Sequence, residues 1–132
     1  MSVAREILWI GSSRDDLREF PEEARREVGN ALYQAQLGRK HKNAKPLKGH
    51  HGASVLEIVE DHDTDTYRAV YTVRFEEAIY VLHCFQKKSK SGIATPRQDL
   101  NLIERRLKLA EQEHKEWERQ QKTNEGNRKQ KP

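Results

Sequence analysis

The amino-acid sequence predicts a small α+β domain. It has a mainly antiparallel sheet with helices packed on one face, in the order β-α-α-β-β-β-α. Three observations carry that expectation. Three runs rich in β-branched and aromatic residues follow one another from Val55 to Lys87, joined by short polar links. Amphipathic helical patterns flank them on both sides. The 132 residues leave room for one domain with a small core.

Taken in order, Glu6 to Ile10 is short, apolar and β-prone, and reads as a first strand closed by Gly11-Ser12-Ser13. Ser13, with Asp16 three residues on, predicts an N-cap and a short helical turn. Pro21 suits the first position of the next helix, and Glu22 and Glu23 complement its N-terminal dipole. Phe20, Ala24, Val28, Ala31, Leu32 and Ala35 recur at helical spacing until Gly38 offers a C-terminal cap. Residues 39–53 read as a basic loop, because Pro46, Gly49 and Gly52 discourage regular structure.

Strands follow over Val55–Glu60, Thr66–Arg74 and Ala78–Lys87. In the middle one, Arg68, Val70, Thr72 and Arg74 share one face, and Tyr67, Ala69, Tyr71 and Val73 the other. Simple alternation in the last strand sets Ile79, Val81, His83, Phe85 and Lys87 against Tyr80, Leu82, Cys84, Gln86 and Lys88. Thr95-Pro96-Arg97-Gln98 is a helix start, with Thr95 as N-cap, Pro96 at the first position and Gln98 closing a capping box. Leu100, Ile103, Leu107, Ala110 and Trp117 carry its apolar stripe. No apolar residue follows Gln120, which predicts a single domain over 1–120 and a disordered polar tail over 121–132.

Composition excludes several classes. Hydrophobic residues make up 34% and charged residues 35% of the chain, so most of the charge must lie on solvated faces. The longest apolar run, Ala78 to Leu82, is far short of the roughly 20 residues of a membrane helix. Ile7-Leu8-Trp9-Ile10 is too short for a signal-peptide core, so neither a membrane nor a secreted protein is expected. Cys84 is the single cysteine, which removes an intramolecular disulfide and a Cys-rich zinc module and fits a reducing cytoplasm.

The net charge of +4 is uneven. Val28 to Leu56 and Ala78 to Gln98 contain no acidic residue and carry +5 and +4, leaving −5 for the remainder. Arg39, Lys40, Lys42, Lys45 and Lys48 fill the first window; Lys87, Lys88, Lys90 and Arg97 fill the second. Folded together they form a basic patch suited to a polyanion such as nucleic acid.

No phosphate loop, dinucleotide fingerprint, nucleophile elbow or zinc-protease motif is present. Asp61-His62-Asp63-Thr64-Asp65 starts like a calcium loop, but Thr66 stands where the sharp turn needs Gly and Thr72 where a bidentate Glu is required. It reads as a solvated hairpin turn. His41, His50, His51 and His62 lie in polar loops without ligand spacing, so no metal or other cofactor is expected. Cys84 reads as a small core hydrophobe, and His83, on the other face, as a packed histidine or a general base. Lys87-Lys88-Ser89-Lys90-Ser91-Gly92 gathers ammonium groups, hydroxyls and a glycine between a strand end and a helix N-terminus, each of which favours a phosphate oxygen. Arg68 projects from the adjacent hairpin strand, where an arginine must snorkel or enter a polar site.

Four stretches carry a resemblance: Lys45-Pro46-Leu47-Lys48-Gly49, Val55-Leu56-Glu57-Ile58, Tyr67-Arg68-Ala69-Val70-Tyr71, and Ile79-Tyr80-Val81-Leu82-His83-Cys84-Phe85-Gln86-Lys87-Lys88. Together they resemble the RelE/ParE superfamily of bacterial toxins. The branch most resembled is the HigB-type, phage-derived one, where a stretch like Phe85-Gln86-Lys87-Lys88-Ser89-Lys90 before Thr95-Pro96 is characteristic. The likeness covers about residues 5–112, and Tyr67 to Pro96 is its specific part.

The resemblance implies a type II toxin with a helix-turn-helix antitoxin as partner, commonly a ribosome-dependent endoribonuclease that cuts translated mRNA. Arg68 matches the arginine such toxins use in the Tyr-Arg strand, and Lys87 or Lys88 matches the basic residue at the end of the last strand. Two departures stand out. Glu57 and Glu60 occupy a strand that carries lysines in RelE-type toxins, and no tyrosine follows Tyr80 to match their late catalytic one.

Cleavage without a metal then needs in-line positioning, charge stabilisation and proton transfer, since RNA supplies its own 2′-hydroxyl nucleophile. Arg68, Lys87 and Lys88 are assigned to the phosphate, with Glu57 as candidate base and His83 beside it. Arg39, Lys40, Lys42, Lys45, Lys48 and Lys90 are assigned to nucleic-acid binding, the first five from a flexible loop. The alternative is a ParE-like, non-catalytic inhibitor of DNA gyrase, which the acidic strand and the missing tyrosine favour.

Overall fold

The computed structural model describes residues 4–48, 54–87 and 95–130, with side chains to Gly126. In chain order the elements are β1 (Glu6–Trp9), α1 (Ser13–Arg18), α2 (Glu22–Gln36), β2 (Ala44–Pro46), β3 (Val55–His62), β4 (Asp65–Thr72), β5 (Ala78–Lys87) and α3 (Arg97–Gln130). The five strands form one sheet in the order β1-β5-β4-β3-β2. β1 runs parallel to β5, and every other pair is antiparallel. The α+β class is as the sequence predicts.

One strand lies where the sequence predicts none. Ala44–Pro46, inside the expected basic loop, pairs with β3 so that Lys45 lies opposite Glu57. Three residues containing a proline give no alternation to read. Proline is tolerated there because the strand is at the sheet edge, where a missing N–H leaves no ladder bond unmade.

The helices cover both faces of the sheet, which corrects the one-face expectation. Val28, Ala31 and Leu32 of α2 pack with Ile58, Tyr71, Ile79 and Val81. Ile103, Leu107 and Ala110 of α3 pack with Val55, Val70, Tyr80 and Leu82 on the opposite side. The cause is composition: β4 and β5 are apolar at successive positions, so each face presents a surface that must leave water.

β5 also breaks its own alternation. Val70 pairs with His83, but Tyr71 pairs with Val81, so Leu82 is an extra residue without a partner on β4. Such a bulge re-aims the side chains beyond it. Cys84 therefore joins Ile79 and Val81 on the α2 face, while Phe85 joins Tyr80 and Leu82 on the α3 face. His83, paired with Val70, turns to the α3 face as well. The carbonyls of the bulge are satisfied from outside the sheet. Ile10 N–H and the Ser13 hydroxyl donate to Val81 O at 3.0 and 3.2 Å, and Arg106 Nη1 donates to Leu82 O at 2.9 Å.

Helix ends differ from expectation by single residues. Ser12, not Ser13, is the N-cap of α1, and its hydroxyl bonds the Asp16 carboxylate at 2.7 Å; Ser13 is buried on the bulge. Pro21 stands just before the first residue of α2, and Gly38, at φ 77°, closes its end as predicted. α3 begins at Arg97, one residue later than expected, and continues to Gln130, past residue 121 where the sequence predicts a disordered tail. Its side chains from Lys115 to Glu125 are exposed. No described helix is long and apolar enough to cross a membrane.

The two sides of α3 give a direct test of this packing. Leu107 is buried, whereas Leu109 is 48% exposed. Leu107→Ala should cost about 2–5 kcal/mol of stability by urea denaturation, and Leu109→Ala under about 0.5 kcal/mol. Equal losses would contradict the placement of α3.

Candidate active site

The bulge aligns the polar groups of the sheet's α3 face. Val70 lies between Glu57 on β3 and His83 on β5, so these side chains form one row across three strands. Lys45 on β2 extends that row to the sheet edge through its register with Glu57. The next row holds Val59, Arg68 and Phe85, and the one beyond it Asp61, Thr66 and Lys87. The N-terminal turns of α3 cross over these rows, bringing Thr95, Asp99 and Arg106 down onto them.

Arg68 is 5% exposed and Glu57 7%. Arg68 Nη1 donates to Thr95 Oγ1 at 3.2 Å and lies 3.8 Å from Glu57 Oε2. A buried guanidinium is sustained only by such a counter-charge and acceptors. Among the described residues Glu57 Oε2 accepts no hydrogen bond, which leaves a buried carboxylate oxygen able to take one from an incoming hydroxyl.

His83, 7% exposed, forms the second half of the site. Its Nε2 is 2.8 Å from Asp99 Oδ1, its Nδ1 is 3.5 Å from Arg106 Nη1, and Phe85 stacks on the ring at 4.5 Å. Burial holds the imidazole below its ordinary proton affinity, helped by the Arg106 charge and opposed by the Asp99 hydrogen bond. Arg106 Nη2 also donates to Ser12 Oγ at 3.2 Å. Its guanidinium fits against Gly11, at φ 57°, where a Cβ would lie 2.9 Å from it. The left-handed backbone there favours glycine, and a side chain would have to push the Arg106 guanidinium aside.

Of the residues singled out in the sequence, Glu57, Arg68, His83 and Lys87 share this face. His83 does so against the alternation expected of it, because of the bulge. Lys88 and Lys90 lie outside the described residues. Arg39, Lys40, Lys42 and Lys48 are exposed in the segments flanking β2, while Lys45 is held on a strand beside Glu57 and not in a flexible loop. The two glutamates of β3 part company. Glu60 faces α2, where burial and the Glu27 carboxylate raise its proton affinity. Cys84 is a core residue whose thiol burial pushes up to about 12, too high for a nucleophile at neutral pH.

Thr95, Asp99 and Arg106 are the participants the sequence did not single out. The signal was present. Asp99, Ile103, Arg106 and Ala110 follow a 4-3-4 spacing, so two charges interrupt the face that α3 buries. Elsewhere, Glu77, His114 and Glu118 offer donor atoms within 4.8 Å of one another. His114 already meets Tyr80 OH at 3.2 Å and Glu77 Oε2 at 3.1 Å, so this trio ties α3 to the turn before β5. It includes none of the site residues.

Comparison with known proteins gives three findings. Residues 15–108 match the family described as phage derived protein Gp49-like. A chain of the toxin–antitoxin complex RelBE2 from Mycobacterium tuberculosis is similar in structure at 20% identity and a TM-score of 0.42, over 67% of this chain and 98% of that one. No curated protein sequence matches.

The burial of His83 predicts a pH signature. Folding favours the neutral ring, so the stability this contributes is present above the ordinary value of 6.5 and lost as pH falls through the lower folded-state value. Urea midpoints measured from about pH 8 to about pH 5 should fall more steeply for wild type than for His83→Gln below pH 6.5. Parallel curves would mean that His83 titrates alike in both states.

Proposed function

The chain belongs to the phage-derived Gp49-like family, and from that premise we propose that it is the toxin of a type II toxin–antitoxin pair, a metal-independent endoribonuclease that cuts mRNA on the ribosome. The observation that carries this reading is the convergence of Arg68, Glu57, His83 and Lys87 on one sheet face under the start of α3. Its resemblance to RelE/ParE toxins supports the same reading. The antitoxin is a helix-turn-helix protein, and both act in the cytoplasm.

The chemistry follows from what RNA lacks. The strand holds its nucleophile, the 2′-hydroxyl, beside the scissile phosphate, but it needs a proton acceptor, alignment and cationic donors as charge builds on the phosphoryl oxygens. Arg68 supplies a fixed guanidinium, and to engage a phosphate it exchanges Thr95 for a phosphoryl oxygen while Glu57 stays as counter-charge. Lys87 adds charge from the end of β5, and Lys88 follows it in the sequence. Glu57 and His83 are the two groups able to accept the proton. The bond O2′–P forms, P–O5′ breaks, and the leaving O5′ takes a proton from solvent. The products are a 2′,3′-cyclic phosphate and a 5′-hydroxyl.

A second reading rests on burial. Arg68 and Glu57 at 5% and 7% exposure also make a structural ion pair, and a fold held that way fits a ParE-like, non-catalytic inhibitor of DNA gyrase. Mapping 5′ ends of cellular mRNA after induction separates the two. New cuts at codon positions support the nuclease; intact mRNA with DNA damage supports the inhibitor.

Expression without antitoxin should arrest growth, and Arg68→Ala should relieve it, with cleavage down ~10²–10³-fold. Full arrest by a stably folded Arg68→Ala variant would remove Arg68 from the reaction. The exposed Lys40, Lys42 and Lys48 are a different case, because mobile side chains attract charge without sub-ångström placement. Changing all three to Gln should weaken ribosome binding and reduce its salt slope by about 0.7–0.9 for each phosphate no longer neutralised. Saturating turnover should survive, because uniform binding acts on KM and not on kcat.

A further inference from the structure

Two groups of α3 meet His83 from opposite edges of its ring, and together they decide where its proton resides. Asp99 Oδ1 is 2.8 Å from Nε2, and Arg106 Nη1 is 3.5 Å from Nδ1. A guanidinium has only donors, and a carboxylate only acceptors. The nitrogen facing Arg106 therefore carries the lone pair, and the nitrogen facing Asp99 carries the proton. We infer that Asp99 and Arg106 are positioning residues that hold His83 as a neutral imidazole protonated at Nε2, making its Nδ1 the proton acceptor in RNA cleavage. This rests on the nuclease reading above and goes beyond it, choosing His83 over Glu57 as the base.

Arg106 is built for that task. The same Nη1 that faces the ring donates to Leu82 O at 2.9 Å, on the bulge residue that turns His83 into the site. Nη2 is anchored on Ser12 Oγ at 3.2 Å, and Gly11 leaves room for the guanidinium plane. One side chain thus fixes the bulge and the tautomer together. Among the described residues, Asp99 and Arg106 from α3 are the charged groups in contact with the ring, and Asp16 from α1 acts on it at longer range; β5 contributes Phe85, stacked on it, and β4 contributes Val70.

The arrangement also accommodates the transferred proton. The Arg106 contact at 3.5 Å is long, so a 2′-hydroxyl can displace it while Nη1 keeps its bond to Leu82 O. When Nδ1 takes the 2′-hydroxyl proton, the imidazolium is stabilised by the Asp99 carboxylate on its far side. The proton then passes to solvent, restoring the neutral ring. Glu57 remains the counter-charge of Arg68, a role it would lose on being protonated.

The test uses the full-length, ¹⁵N-labelled chain. Long-range ¹H–¹⁵N spectra at about pH 7.5 should show His83 neutral and protonated at Nε2. Asp99→Asn should mix the tautomers and lower single-turnover cleavage ~10²–10⁴-fold with KM and thermal midpoint little changed. Arg106→Lys, still a donor only, should keep the Nε2–H form. The wild-type profile of kcat/KM against pH should bend at the value at which His83 titrates in the spectra. A wild-type His83 protonated at Nδ1, or charged at that pH, would overturn the inference. So would Asp99→Asn turnover at the wild-type rate with the tautomer altered. If the wild type shows the Nε2–H form and cuts no RNA, the nuclease reading falls and the tautomer assignment stands.

Discussion

The site depends on one surplus residue. A strand paired across its whole length puts alternate side chains on alternate faces, and in β5 that rule would send His83 to the α2 side with Ile79 and Val81. Leu82 interrupts it. Because the extra residue has no partner on β4, Leu82 and His83 both turn toward α3, and every side chain beyond them changes face. A bulge leaves carbonyls outside the ladder, and burying them unpaired would be costly. The residue that follows β1, together with α1 and α3, sends a donor to them, through Ile10, Ser13 and Arg106. The irregularity that aims the candidate site is thus also the point at which three segments are joined.

That economy has an electrostatic counterpart. Arg68 and His83 are both largely removed from water, and each is held by one acidic residue and one further group, Thr95 just before α3 for Arg68 and Arg106 on α3 for His83. The two halves are biased in opposite directions. A guanidinium cannot shed its proton, so Arg68 stays a cation and needs Glu57. An imidazole can, and burial beside Arg106 favours the neutral form. Fixed positive charge and a proton acceptor therefore coexist on adjacent rows of one sheet face without either neutralising the other.

How legible the fold and site are in the sequence depends on the range of each signal. α2 and the hairpin strands can be read because their periodicities are local: Ala24, Val28 and Ala31 at helical spacing, and the alternating faces of β4. β2 cannot, since three residues with a proline hold no period. Nor can the bulge, because a two-residue pattern continues through Leu82 and His83 without visible interruption, and only pairing with β4 reveals the surplus. The one-face placement of the helices fails for a related reason. Apolar residues at successive positions of β5 announce a strand, but not that it must be covered on two surfaces. Arg68, Glu57 and Lys87 emerge from chemistry and family likeness. Asp99 and Arg106 are legible only as charges on a buried stripe, a signal that gains meaning once a polar partner is known to face it.

The departures from the RelE-type pattern then have a physical reading. A lysine in place of Glu57 would set a second cation beside Arg68 in a region excluded from water, where like charges repel strongly. With glutamate there, the guanidinium can be buried, while Lys45 at the sheet edge and Lys87 at the strand end stand further out. In the nuclease proposed above, the absent tyrosine is matched by a change in proton chemistry. An imidazole oriented by a carboxylate works as an acceptor near neutral pH, where a phenol of ordinary proton affinity is a donor. In the proposed nuclease the acidic strand and the bulge act as one change, since a buried Arg68–Glu57 pair would leave proton transfer to a group that only the turn at Leu82 can present.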